Sequence, residues 1–365
     1  MTTVREVASY LESLAPLDLQ ESYDNAGLLV GDESMEVSGV LLCLDCTEEI
    51  IDEALKHHCN LVIAHHPLIF SGLKKLNGDN YVERTVIKAI RKNVAVYAAH
   101  TNLDNIHIGV NARICEKLGL KNGRILSPKK NLLKKIVTFC PLEHADNVRN
   151  ALFNAGSGAI GNYDECSFNM EGTGTFRGGE NTNPFVGEKG IQHREKEIRM
   201  ELIFESRLEA KVIQALLLAH PYEEVAYDIY PLHNAYSRVG SGMIGDFETP
   251  MDARVFLNHV KSTMKTGVIR HTTLPENKIS RVAVCGGAGS FLLADAIRHG
   301  AHAFITADFK YHQFFDADGK IMIADIGHYE SEQFTIELFH ELLVKKFSTF
   351  AIRLPEVVTN PVNYF

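Results

Sequence analysis

Between residues 1 and 125 the chain alternates short, nearly all-apolar runs with stretches whose apolar residues recur at helical spacing. The runs at 40–44, 61–64 and 94–98 are rich in Val, Leu, Ile and Ala and too short for helices, which predicts strands; another is expected at 27–30. Helical patterns over 4–14, 48–57, 81–92 and 109–118 accompany them. Strand–helix–strand repetition of this kind predicts parallel βαβ units. Strands with no polar face predict a sheet covered by helices on both sides.

The pattern changes near Ser127–Pro128. Residues 134–140 read as a strand, 145–155 as a helix, 196–204 as an alternating strand, 209–220 as a helix and 225–230 as a final strand. The order is read as β-α-β-β-α-β, a ferredoxin-like plait. The Gly-, Asn- and Thr-rich stretch from Gly172 to Gly190 reads as a mobile loop between plait strands. The segment GSGMIGDFETP, ending at Pro250, reads as a linker. From 251 the first style returns: a helix at 253–264, a strand at 281–285, a glycine loop at 286–289, a helix at 291–299, strands at 303–306 and 321–324, and a long helix at 330–345. The expected fold class is therefore α/β. A discontinuous layered α/β domain, residues 1–125 plus 247–365, is interrupted by an inserted α+β domain over 126–246.

No apolar run approaches the ~18 residues of a membrane span, and the N-terminus lacks the apolar stretch of a signal peptide. The net charge of −9 argues against a protein whose task is to coat nucleic acid. Seven cysteines at irregular spacings point to reduced thiols and a cytoplasmic setting. Cys43 and Cys46 have the spacing of a zinc or redox pair, but no second pair lies nearby, so buried inert thiols are expected.

Three strand ends carry the candidate chemistry. IAHHPLIF ends in His65 and His66, AAHTNLDN brings His100 and Asp104, and DIGHYESE brings His328 and Glu332. Open α/β sheets gather functional groups beyond the carboxyl ends of their strands. A lone histidine after a strand is ordinarily just hydrogen-bonded or solvent-facing; convergence carries the reading. His328 and Glu332, four residues apart at a helix start, share a face. His65, His66, Asp104, His328 and Glu332 form a mixed nitrogen–oxygen set that suits zinc, iron or manganese better than calcium or magnesium. Too few ligands for two ions mark a catalytic rather than a structural site. His100 reads as a ligand, a partner of a ligand, or a proton shuttle.

Weaker signals lie elsewhere. The loop from Gly286 to Ser290 lacks a P-loop lysine and reads first as a tight turn. Should the substrate be a nucleotide, Gly287, Gly289 and Ser290 are the candidate contacts for its phosphates. Asp24 and Asn25 are expected to shape a turn or, as the second option, to line the cleft. His220 with Glu223 and Glu224 is expected to be structural.

The segments AHHPLIF, AHTNLDN and GHYESE, with ESYDNAGLLVG near the N-terminus, resemble the Ngg-interacting-factor-three-like proteins of the YbgI and YqfO type, a family often labelled GTP cyclohydrolase type 2 homologues. The resemblance covers essentially the whole chain. It implies a dinuclear divalent metal centre with His65, His66, Asp104, His328 and Glu332 as ligands, and a toroidal homohexamer with the metal sites facing inward. Longer members insert a domain similar to PII and CutA proteins, and HPYEEVAYDIYPL resembles that domain. Tyr23 stands where many members have tryptophan. The function so implied is a metal-dependent hydrolase with two divalent ions, zinc first and iron or manganese as alternatives. GTP as substrate follows from the family label, and a phosphoesterase would use the same centre. The competing reading is a metal-binding regulatory or scaffold toroid without turnover. The partners expected are other copies of the chain and a small molecule or nucleotide, with no membrane.

Overall fold

Strand Leu61–Ala64 is buried at all four positions and lies in the middle of a five-stranded sheet. The order across that sheet is Gly27–Val30, Ala95–Ala98, Leu61–Ala64, Gly39–Cys43 and Ala351–Arg353. The last four are mutually parallel and the first is antiparallel. The computed structural model describes residues 2–365, which divide into two compact units, 2–127 with 239–365 and 128–238.

In the larger unit the flanking helices form where the apolar period and the caps agree. Helix Val4–Leu14 starts at Thr3, whose hydroxyl accepts the Glu6 amide while the Glu6 carboxylate accepts the Thr3 amide. Its buried face is Val4, Val7, Ala8 and Leu11. Helix Tyr81–Lys92 is capped by the Asn80 side chain and stops at Asn93 in the left-handed conformation. Leu41, Ile50, Val62, Val86 and Val96 meet in one core between sheet and helices. A second, six-stranded sheet runs Arg270–His271, Met322–Asp325, Ala303–Ala307, Ile279–Ala288, Ala235–Met251 and Lys121–Lys130. Its second, third and fourth strands are parallel, and the register sets Thr306 beside Asp325.

Three readings of the sequence need correction. The segment read as a linker, 240–250, belongs to strand Ala235–Met251, paired antiparallel to Ile279–Ala288. Its glycines reflect crowding, since a side chain on Gly245 would press on the Lys121 carbonyl. The presumed loop at 172–190 begins inside strand Phe168–Arg177, an exposed edge strand without an apolar face to betray it. The long helix expected at 330–345 is two pieces, His328–Glu332 and Thr335–Lys346.

The smaller unit pairs its strands Phe168–Arg177, Gln192–Glu205, Leu133–Pro141 and Tyr227–Leu232 in that order, all antiparallel. With helices Ala145–Asn154 and Glu209–Ala219 after its first and third strands, this is the ferredoxin-like plait. Ile136, Val148, Leu152, Phe204, Val212 and Leu216 form its own core. A fragment of residues 128–238 should therefore unfold in one cooperative transition in urea, with circular dichroism and tyrosine fluorescence coinciding. A gradual, non-coincident loss of signal would show that the core is insufficient alone.

Candidate metal centre

Parallel register places Ala64 against Ala98, so the chain leaves two neighbouring strands side by side, at His65 and at Ala99–His100. Strand Met322–Asp325 delivers its own end three residues before His328. All of these residues belong to the larger unit.

His65 is fully buried. Its Nδ1 lies 2.9 Å from the Ala99 carbonyl, which can only accept, so Nδ1 carries the proton and Nε2 is left with a free lone pair. That Nε2 has no hydrogen-bond partner, and neither does Asp104 Oδ1, 3.7 Å away. Two buried polar atoms facing each other beyond hydrogen-bond distance, neither with a partner, are costly, and an ion binding both removes the cost. His66 sends Nδ1 to Asp45 (2.8 Å) and Nε2 to Glu332 Oε2 (2.9 Å). His328 sends Nδ1 to Asp308 (2.6 Å), and its Nε2 lies 3.2 Å from Glu332 Oε2 and 3.3 Å from His66 Nε2. Glu332 Oε1 turns the other way, 3.8 Å from His65 Nε2. The donor atoms of His66, His328 and Glu332 lie within 4.8 Å of one another, as do those of His65, Asp104 and Glu332. Each group could hold a metal ion, and Glu332 belongs to both.

Electrostatics describe a site short of positive charge. Burial alone would raise Glu332, but hydrogen bonds from His328 and His66 hold it well below the usual carboxylate range. Asp104 is pushed well up by burial and by the Glu332 carboxylate. Burial disfavours charge on His66, yet the carboxylates of Asp45 and Glu332 raise it to about 10; His328, between Asp308 and Glu332, rises to about 11 for the same reason. Burial lowers His65. Without a cation, protons on His66, His328 and Asp104 balance the carboxylates.

His100 stands at the edge of the cluster, its ring 5.3 Å from that of His65 and 5.5 Å from that of His66. Its Nδ1 is 2.7 Å from Asp24 Oδ1. Of the two options for Asp24, a turn or the cleft, the second describes it: it accepts from His100 and from the amide and hydroxyl of Thr101. Burial opposes its charge, but these bonds bring it down to about 2. Asp45 and Asp308 are the residues that sequence reasoning missed as parts of the site, and Asp24 it placed there only as a second option. Each takes the Nδ1 of one histidine and so fixes which nitrogen faces inward, the usual arrangement behind metal-ligating imidazoles.

The cluster lines a cavity of about 790 Å³ whose wall also includes Tyr23, Phe70, Arg270, Phe291 and Tyr364. Gly287 borders it with φ +63°, and a Cβ there would fall 2.5 Å from Glu332 Oε1. The amides of Gly286 and Gly287 already donate to Asn111 Oδ1 (3.0 Å) and Ser331 Oγ (2.9 Å), which leaves both engaged within the protein. Gly289 sits close against Thr306 and Cys285, and Ser290 Oγ accepts from Gln313. Cys43 and Cys46 are free and buried; burial pushes Cys43 well up and Cys46 to about 12. His220 is held by Phe139 and Tyr222 backbone groups, not by Glu223 or Glu224.

Histidines and carboxylates gathered at the strand ends of an α/β unit define a protein with a candidate metal centre. The sequence profile of the Duf34/NIF3 (NGG1p interacting factor 3) family matches residues 2–361, and the chain belongs to that family. It is 41% identical over 325 residues to a Halalkalibacterium halodurans protein named GTP cyclohydrolase 1 type 2 homolog, covering 88% of this chain and 87% of that one. A Bacillus subtilis protein of the same name is 36% identical, with 99% and 98% covered. Among solved structures, a Bacillus cereus protein related to NIF3 superposes with a TM-score of 0.87 at 38% identity, covering 100% of this chain and 99% of that one. Staphylococcus aureus protein SA1388 gives 0.80 at 28% identity over the same shares. Among the described residues no helix is long and apolar enough to cross a membrane.

Two outcomes follow from the geometry. Zinc or manganese added to metal-free protein near neutral pH should release about two to three protons per chain, since His66, His328 and whatever fraction of Asp104 is protonated must deprotonate to ligate. Both histidine pKa values lie above neutrality, so affinity should rise with pH; a pH indicator in weak buffer measures the release, and an unchanged signal on binding would contradict the assignment. Asp45→Asn or Asp308→Asn should weaken metal binding about 10–100-fold in competition with a chelator, with the fold intact.

Proposed function

We propose that this chain is a metal-dependent hydrolase holding two divalent cations in this cavity, with His65, His66, Asp104, His328 and Glu332 as their ligands. The observation that carries it is Glu332, whose two oxygens face two separate donor groups. The unpartnered His65 Nε2 and Asp104 Oδ1 fit the same reading. Two divalent cations held there would supply Lewis acidity toward a water and a substrate oxygen. Zinc heads the list by donor type, with iron and manganese next.

The protein's own groups have defined parts. Ala99, Asp45 and Asp308 fix the histidine tautomers so that Nε2 faces the cavity. Asp24, held ionised, keeps the proton of His100 on Nδ1, which leaves Nε2 to take or return a proton. Asp104 Oδ1 faces His65 Nε2 at 3.7 Å and would give up its proton to serve as a carboxylate ligand.

The relatives' name offers ring-opening hydrolysis of GTP as the candidate reaction, and phosphoester cleavage would use the same groups. A store, sensor or scaffold without turnover is the competing reading, favoured by the presence of the plait, which a simple hydrolase does not require. The homohexameric ring and the cytoplasmic setting expected from the sequence belong to the proposal, and the mass in solution tests the first. Purified chain should contain close to two divalent ions and hydrolyse GTP or a phosphoester when loaded with zinc or manganese. His66→Ala should lose both metal and turnover, whereas Cys46→Ala, away from the donors, should keep both. Full metal content with no turnover across nucleotides and phosphoesters would favour the scaffold; metal content unchanged in His66→Ala would overturn the centre itself.

A further inference from the structure

The plait unit has a cavity of its own, about 630 Å³, unrelated to the histidine cluster. Glu197 lies in its wall and is only 8% exposed. Its place on strand Gln192–Glu205 is opened by Gly174 on the neighbouring strand, where any side chain would occupy the space of the Glu197 carboxylate. The Tyr222 hydroxyl donates to Glu197 Oε1 at 2.9 Å and orients the group. No Lys, Arg or His among the described residues forms an ion pair with it. The nearby Arg199 in the wall directs both Nε and Nη2 to Glu201 at 3.0 Å. His220 donates Nε2–H to the Phe139 carbonyl and accepts the Tyr222 amide on Nδ1, so its ring is neutral and supplies no charge.

Four rings complete the wall, of which Phe139 is already covered by the Arg199 guanidinium at 5.8 Å. Phe176 and Phe185 flank Tyr222, with centroids 6.1 and 6.3 Å from it. A carboxylate removed from water without a counter-charge is unfavourable, and the faces of aromatic rings attract cations. With Glu197, the carboxylates of Glu171, Glu223 and Glu224 outnumber the two guanidinium groups of the lining, Arg177 and Arg199, so the net potential of the cavity is negative. A metal ion fits less well: among the described residues of this unit no three His, Cys, Asp or Glu donors come together. An uncharged ligand would leave Glu197 uncompensated.

We propose that the plait unit binds a small organic ammonium ion, its charge held by the Glu197 carboxylate and its alkyl groups by the rings of Phe176, Phe185 and Tyr222. The site does not depend on the hydrolase reading, and neither fails with the other.

Calorimetric titration of the full chain with choline and with butylammonium tests it, each against its uncharged carbon or alcohol analogue. At least one of the two cations should bind saturably, and its uncharged analogue at least about tenfold more weakly. Glu197→Gln should weaken the cation by about tenfold or more, and Phe185→Ala, a substitution at a half-exposed position, should weaken it while leaving the melting curve in place. If Glu197→Gln fails to fold, Phe185→Ala decides. Equal binding of cation and analogue, undiminished binding by the folded variants, or no binding of either cation at millimolar concentration would overturn the proposal.

Discussion

One buried carboxylate organises the larger unit's chemistry. Glu332 is 3% exposed, and its two oxygens reach three imidazoles that arrive from the carboxyl ends of strands in two different sheets. A carboxylate so placed stays ionised only if positive charge comes with it. In the absence of a cation that charge is protons on His66 and His328, and Asp104 is forced toward its neutral form. The two sheets therefore converge on a group whose charge neither can balance alone. That is why the site is built from stretches as far apart in sequence as His65 and His328.

The second layer turns a set of histidines into an oriented one. A free imidazole can present either nitrogen. Here Ala99, Asp45, Asp24 and Asp308 each take one Nδ1, and the Nε2 atoms of His65, His66 and His328 are directed inward. Hydrogen bonds at 2.6–2.9 Å to a carbonyl and three carboxylates restrict ring rotation, so the donor positions are set before any ligand arrives. Asp308 is itself left-handed in backbone (φ 58°), which places its side chain beside His328 immediately after strand Ala303–Ala307.

What was legible in the sequence, and what was not, divides along physical lines. Fully buried parallel strands announce themselves as short apolar runs, so 61–64 and the ends that follow it were readable, and with them His65, His66, Asp104, His328 and Glu332 as candidates. Asp45 and Asp308 were not, and Asp24 only as the lesser of two options, because a single aspartate in a connecting segment has no period and is indistinguishable from a turn former until its partner is seen. Strand Ala235–Met251 was taken for a linker because close approach of a neighbouring strand demands glycine, the same residue that marks loops. Edge strand Phe168–Arg177 was lost in a supposed loop because exposure on nearly every position erases the alternation that identifies strands.

The C-terminal segment shows how a region with no visible motif becomes part of the site. Glu53 is 5% exposed on helix Glu48–Lys56, and its carboxylate accepts the amides of Glu356 (2.6 Å) and Val357 (3.0 Å). Two backbone donors satisfy a buried acid and at the same time fix where the tail runs. Two residues further on, Thr359 donates to Asp45 Oδ2 at 3.0 Å, the same aspartate whose other oxygen holds His66. Asn360 then donates to Glu330 at 3.2 Å, and Tyr364 reaches the cavity wall. Asp45 thus lies between a histidine that points at the centre and a threonine brought in by the tail. The orientation of His66 is tied through it to the C-terminal tail, which Glu53 anchors, a coupling that no spacing along the chain could disclose.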